Sequence, residues 1–282
     1  MYWERVNMRI FKIKKYKYNE DRIDLNHNTW RIRNDLNWLL SNHYNSNELY
    51  SLYWLDNNLK NVCFPWVLKL ERQFKSAFIY FYKDRYQSDE IKFVLDKEIY
   101  SKRRDKQKKE AISKRVNDLV KENNIIKIDQ LIFSLMFGEF VNFIIYFDNS
   151  LLQKLANHFR MELSVFVNCI KYLNILRNAI AHNKTIIKII DEKNNKRYSL
   201  KKDLFNFPIS KIAIDIISSN VSGSIFTIKQ FLIKSDRKKV SSFIKEIKKQ
   251  LKLFKKELND NDVYNRFIRK IFLNYLDDIL YY

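Results

Sequence analysis

The sequence predicts an all-α fold, and three observations carry that prediction. The 282 residues include only two glycines and two prolines, which is too little backbone punctuation for a many-turned β architecture. The polar stretches between apolar runs are rich in Asn, Asp and Ser, whose short side chains bond to nearby backbone and favour turns. Hydrophobic residues make up 46% of the chain, and from Glu48 onward they recur at steps of three and four, the spacing of one helix face. That is ample apolar material for one large domain or two.

Residues 1–45 read as a basic and aromatic N-terminal extension. Arg9–Tyr18 interleaves Ile10, Phe11, Ile13, Tyr16 and Tyr18 with Arg9, Lys12, Lys14, Lys15 and Lys17. Cations beside aromatics can hold single-stranded nucleic acid through phosphate contact and stacking. The same residues suit a short strand or helix packed by its apolar side chains, with the lysines in water. A helix follows over Asn28–Leu40, which holds Trp30, Arg31, Arg33, Trp38, Leu39 and Leu40.

A helical domain is expected over 46–282. Leu52, Leu55, Leu59 and Val62 fall on one stripe, as do Val67, Leu70, Phe74 and Phe78, and Pro65 between them should start a second helix or kink the first. Lys102–Arg115 carries Lys102, Arg103, Arg104, Lys106, Lys108, Lys109, Lys114 and Arg115 against only Asp105 and Glu110. So polar a run cannot be buried, and predicts an exposed helix or mobile arm. Ile128–Phe147 is expected to be one central helix buried on most sides, with Gly138 permitting a close helix approach or a kink.

Met161–Ala181 places Phe166, Ile170, Leu173 and Ile180 on one broad stripe, and Arg177 falls at the same spacing. An arginine in a buried stripe requires a compensating anion, either Glu71 or a substrate phosphate. Thr185–Leu200 alternates on both sides of the polar 191–195 and reads as a small hairpin insertion. Additional C-terminal helices are expected over 205–282. Gly223 falls in a polar link, Asn220–Ser224. Beyond it Val240, Phe243, Ile244, Ile247, Leu251, Phe254 and Leu258 form a clean apolar stripe, backed by Lys238, Lys239, Lys245, Lys248, Lys249, Lys252, Lys255 and Lys256. Val263–Tyr282 reads as the final helix.

The formal charge is +21, from 53 Lys and Arg against 32 Asp and Glu. Self-repulsion on that scale points to a polyanionic partner, nucleic acid first and an anionic membrane surface second. The first residues carry no apolar signal-peptide core, no apolar run approaches a membrane span, and Cys63 and Cys169 are isolated in apolar surroundings, as packed thiols would be. A cytoplasmic protein without a membrane partner is the expectation. The histidines and cysteines lack metal-ligand spacing, and no constellation supports a serine or cysteine nucleophile, so no metal or cofactor is expected.

Leu173–Asn183 is the stretch that carries chemistry. It places Arg177, Asn178 and His182 near the end of an apolar helix, in a chain with only four histidines. Arginine offers a permanent planar cation suited to phosphate, and histidine can take and give a proton near neutral pH. Five residues is a rotation of roughly 140° along an α-helix, so the two share a face only if the helix loosens near Ala181–Asn183, with Asn183 as its terminator. Asn178 would help fix that end. The plainer alternative is a solvated arginine and a C-terminal histidine favoured by the helix dipole.

The string Arg177-Asn178-x-x-x-His182, preceded by Leu173-Asn174-Ile175-Leu176 and followed by Asn183-Lys184, resembles the active motif of HEPN ribonucleases. More narrowly it resembles the Abi-like abortive-infection proteins, the AbiD/AbiF group of bacterial phage-defence factors. Two further blocks resemble that group and lie in the same order: Leu52–Lys60 running into Leu70–Lys75, and Phe133–Phe140. The three span about residues 50 to 185. The resemblance implies a HEPN-type helical bundle and a metal-independent endoribonuclease, with Arg177, Asn178 and His182 catalytic and Glu71 a supporting carboxylate.

One motif per chain implies a homodimer whose junction joins two copies. It further implies an RNA substrate and a small structured noncoding RNA that restrains the activity, as in a toxin–antitoxin pair. Lys12, Lys14, Lys15, Lys102, Arg103, Arg104, Lys106, Lys108 and Lys109 are the candidate RNA contacts. Two alternatives stay open: a non-catalytic RNA-binding protein of the same fold, and a DNA-binding regulator, although no helix-turn-helix is evident.

Overall fold

A computed structural model of the protein describes residues 46–91, 106–123, 127–146, 148–189, 199–205, 207–235 and 237–281, together with Leu39 and Ile125. The expectations for Arg9–Tyr18 and Asn28–Leu40 thus fall outside the described residues, Leu39 excepted. The described residues are α-helical nearly throughout: α1 (Ser46–Tyr86), α2 (Lys106–Asn123), α3 (Ile128–Ser134), α4 (Phe137–Tyr146), α5 (Asn149–His158), α6 (Leu163–Ala181), α7 (Lys211–Ser218), α8 (Val221–Ser235), α9 (Arg237–Leu258), α10 (Asn261–Phe272) and α11 (Leu276–Tyr281), with a 3-10 turn at Lys202–Leu204. The fold is an all-α bundle.

The organising element is α1, whose 41 residues make a rod about 60 Å long. Leu52, Leu55, Leu59, Cys63, Val67, Leu70, Phe74, Phe78 and Tyr82 follow one another at three- and four-residue steps, and all are buried. Pro65 neither starts a second helix nor divides this one; it lies inside α1. Its ring removes the amide that would bond to the Asn61 carbonyl. Both residues are exposed, so water can take the lost bond while the opposite face keeps its packing.

Against α1 lie α9, α6 and α8. The apolar stripe of α9 supplies Phe243, Ile247, Leu251 and Phe254, with Trp66 and Phe243 edge to face at 5.8 Å. Phe74 marks the centre of the bundle. Its ring meets Phe137 of α4, Phe159 at the end of α5, Phe166 of α6 and Phe231 of α8 at centroid distances from 4.9 to 6.3 Å. Phe137 stacks on it and the other three meet it edge to face; aromatic pairs of these kinds add about 0.5–1.5 kcal/mol each beyond area burial.

Three further expectations change, and a fourth, the hairpin over Thr185–Leu200, lies largely outside the described residues. The run from Ile128 is two helices, broken at Leu135–Met136, and Phe133 and Met136 on this stretch are exposed. The break is stabilised by side chains: Lys75 Nζ donates to the Leu135 carbonyl at 2.7 Å, and Met136 N–H donates to the Glu139 carboxylate at 2.9 Å. Gly223 lies inside α8, buried, instead of in a polar link. A Cβ there would meet the Ile217 carbonyl and the Tyr172 hydroxyl at 2.7 Å each, so only glycine lets α8 approach α6 and the end of α7 this closely.

The segment after Thr185 does not pair with the arm at 199–200 among the described residues. Lys188 bridges to Asn220, Ile189 N–H donates to Ser219, and Leu200 N–H donates to Ser218 Oγ at 2.9 Å. Both arms are thus tied to the α7–α8 corner, and 190–198 lie outside the described residues. Finally, 263–282 is not one helix: α10 and α11 part at Leu273, whose φ is 55°. The buried Lys229 of α8 holds α11 by donating to the Ile279 carbonyl at 2.8 Å.

Candidate active site

The three sequence blocks meet at one place. Glu71 and Lys75 lie one turn apart on α1 and form an ion pair of 3.0 Å. The same Lys75 ammonium reaches the Leu135 carbonyl where α3 ends. From α6, Arg177 Nε stands 4.0 Å from the second Glu71 oxygen. Both of those atoms are buried and have no hydrogen bond. Their attraction is therefore electrostatic, in surroundings where charge is poorly screened. The guanidinium keeps about a quarter of its side chain exposed, at 27% against 12% for Glu71. Glu71 is thus the compensating anion in the free protein, and the outer edge of the arginine still faces solvent.

Asparagines continue the network along α6. Arg177 Nη1 donates to Asn178 Oδ1, and Asn178 Nδ2 donates to Asn174 Oδ1, both at 3.5 Å. Gly138 sits on Asn174: a Cβ there would lie 3.2 Å from its Oδ1, tighter than ordinary van der Waals contact. Gly138 therefore permits the close approach of α4 to α6. Glu139 beside it accepts from Met136 N–H and pairs with Arg115 Nε of α2 at 2.8 Å. The Phe133–Phe140 block thus supplies the floor under the asparagines.

The helix ends as its spacing predicts. Ala181 is the last helical residue, and His182 caps it with φ −96°, its N–H donating to Asn178. Asn183 adopts the left-handed φ of 49°, a conformation asparagine tolerates better than most residues. Lys184 N–H then returns to the Ala179 carbonyl at 2.7 Å. His182 itself is exposed.

What fixes the turn is a pair to which the sequence alone assigns no role, Asp56 and Lys60 of α1. Asp56 Oδ1 accepts from both Ile186 N–H and Ile187 N–H at 2.8 Å. Its other oxygen pairs with Lys60 at 2.7 Å, and Lys60 Nζ reaches Asn183 Oδ1 at 3.4 Å. Burial pushes the Asp56 carboxyl up, while Lys60 and the two amides pull the other way. The chain on the far side of His182 is thereby held to α1. The available signal was an acid followed four residues later by lysine, at 56/60 and again at 71/75.

Glu71, Arg177 and Asn178 are thus brought together, with His182 at the exposed end of the same helix. Of the candidate RNA contacts, Lys12, Lys14, Lys15, Lys102, Arg103 and Arg104 lie outside the described residues. Lys106, Lys108 and Lys109 belong to the first turn of α2. Among the described residues, no group of three His, Cys, Asp or Glu side chains is placed to hold a metal ion. No described helix is long and apolar enough to cross a membrane.

Neither the curated proteins nor the solved structures contain a match to this chain. A family model described as Abi-like protein matches residues 6–188, a span that takes in Asp56, Glu71, Gly138, Arg177 and His182 and leaves α7 to α11 beyond it. The chain belongs to the family of Abi-like proteins.

Proposed function

We propose that this protein is a toxin-like endoribonuclease of the HEPN type acting in abortive infection, and that it cuts RNA through the 2′-hydroxyl of the substrate itself. The observation that carries the reading is the Glu71–Arg177 pairing between α1 and α6, with His182 exposed where α6 ends. Glu71 orients the guanidinium, and the exposed edge of Arg177 stabilises charge building on the phosphoryl oxygens. An imidazole takes the proton from the 2′-oxygen as that oxygen attacks phosphorus. The bond from phosphorus to the 5′-oxygen breaks, and an imidazole returns a proton to the leaving oxygen. The products are a 2′,3′-cyclic phosphate and a 5′-hydroxyl, and no step calls for a metal ion.

Each chain offers one His182, and base and acid are two roles. A symmetric homodimer that joins the ends of two α6 helices supplies both. Such an activity would damage its own host, so a structured noncoding RNA is proposed to restrain it. The charge of +21 and the exposed Lys245, Lys249, Lys252, Lys255 and Lys256 along α9 favour a polyanionic partner of that size.

The test is RNA cleavage in chelator by the wild-type chain, His182→Ala and Arg177→Ala, with product ends identified. Each substitution is expected to lower the rate by about a hundredfold or more. Undiminished cutting by His182→Ala would remove that residue from the mechanism. Binding without scission under every condition would replace the enzyme with a non-catalytic RNA-binding protein.

A further inference from the structure

A cleft of about 690 Å³ opens beside α1, its wall formed by Gln73, Tyr80 and Phe81 of α1, His158 and Arg160 at the end of α5, and Lys234 of α8. It is separate from the arginine site. Gln73 lies two residues beyond Glu71, a rotation of about 200°, while Ala77 and Tyr80 return to the Gln73 side. The volume falls within the range of roughly 300–1,000 Å³ typical of small-molecule sites.

Three features of the wall define the ligand. First, Arg160, Lys234 and His158 bring three basic side chains, with no carboxylate in the lining among the described residues. The wall therefore favours an anion. Arg160 also holds a φ of 49° at the end of α5, where glycine or asparagine would sit with less strain. Second, Tyr80 is 67% exposed, packed edge to face on Phe81 at 5.4 Å. Phe81 in turn meets the His158 ring at 5.7 Å. An exposed phenol ring on an aromatic base is a platform for a flat ring. Third, Gln73 Oε1 is buried without a hydrogen bond, an acceptor in need of a donor.

A ligand that is anionic, flat and furnished with N–H donors meets all three requirements. We propose that this cleft binds a nucleotide unit, its phosphate on Arg160 and Lys234 and its base against Tyr80. The unit comes either as a free nucleotide or as an unpaired nucleotide of an RNA chain. The proposal stands apart from the ribonuclease reading, since none of its residues belongs to the Arg177 site.

Calorimetric titration of the full chain tests it. The probes are adenosine and uridine 5′-monophosphates, their nucleosides, inorganic phosphate, and a short unpaired 2′-O-methyl RNA that cannot be cut through its 2′-oxygen. Arg160→Gln and Tyr80→Ala are each expected to weaken binding about tenfold, and Tyr80→Phe to preserve it. Lys211→Gln, a charge loss at the exposed start of α7, should change it by less than about twofold. Mononucleotide binding with this pattern identifies a free nucleotide as the ligand. The same pattern with RNA alone identifies an unpaired nucleotide of a chain. Losses no larger than that of Lys211→Gln, inorganic phosphate binding as tightly as nucleotide, or no binding at all would overturn the proposal.

Discussion

Helix α1 presents two acid–lysine pairs to the end of α6, Asp56–Lys60 and Glu71–Lys75, and they serve different ends. In the first, one carboxylate oxygen accepts two backbone amides, so the pair holds main chain. In the second, the carboxylate lies between the ammonium of Lys75 and the guanidinium of Arg177, so the pair holds a side chain. The first fixes where the segment after His182 runs. The second fixes where a cation points. Identical local sequence logic thus yields an anchor in one case and an aiming device in the other, according to what the rest of the fold brings opposite.

The largest expected effect comes from removing the anchor. Asp56→Ala strands two buried amides and the buried Lys60 ammonium, and should cost about 3–5 kcal/mol, read by urea unfolding. Glu71→Gln separates aim from stability. RNA cleavage should fall about ten- to a hundredfold through misplacement of Arg177, with a loss of stability of about 1–3 kcal/mol. If Glu71→Gln cuts RNA normally, the pair does not aim Arg177, and the contrast with Asp56 collapses.

A third buried lysine sharpens the comparison, because Lys229 donates to the Ile279 carbonyl and, among the described residues, lacks so close a carboxylate. Burial pulls its ammonium down from 10.5 to about 8. Between those values the unfolded chain binds more protons at this lysine than the folded one, so Lys229 makes unfolding free energy rise with pH. From pH 8 to about 9.5 its share should be on the order of 1 kcal/mol, read as the difference in slope between the wild-type chain and Lys229→Met, because the buried Cys63 and Cys169 thiols, both held up by burial, oppose the rise equally in the two chains. Above that window tyrosines counteract the trend, since burial pushes the Tyr82 and Tyr172 phenols up. The smallest effect is expected at Gly138→Ala. The added methyl crowds Asn174, and a gain in helix propensity partly offsets the crowding. Stability should change by about 1 kcal/mol or less, and cleavage should fall more than stability if Asn174 and Asn178 position Arg177.

The fold class was legible because buried positions recur with helical spacing over long stretches, as from Leu52 to Tyr82. Helix ends were less so. The break at Leu135–Met136 depends on Lys75, sixty residues away, and the continuity of α1 through Pro65 depends on which face is exposed; neither is local information. Arg177, Asn178 and the left-handed Asn183 could be read from their own neighbourhood, and Glu71 from the need for an anion. Asp56 could not, because an acid and a lysine one turn apart usually mark a solvated helix face. The Ile186 and Ile187 amides that give Asp56 its role come from 130 and 131 residues further along the chain.

The two cysteines sit on the two helices joined by Glu71 and Arg177. Cys63 of α1 and Cys169 of α6 are both free and fully enclosed. Burial and the Asp56 carboxylate push the Cys63 thiol up to about 12, and burial pushes Cys169 up as well. Neither sulfur can act as a nucleophile until its helix lifts away from its neighbours. Alkylation kinetics followed by peptide mass would therefore clock the opening of each helix separately, a built-in pair of stopwatches that needs no introduced label.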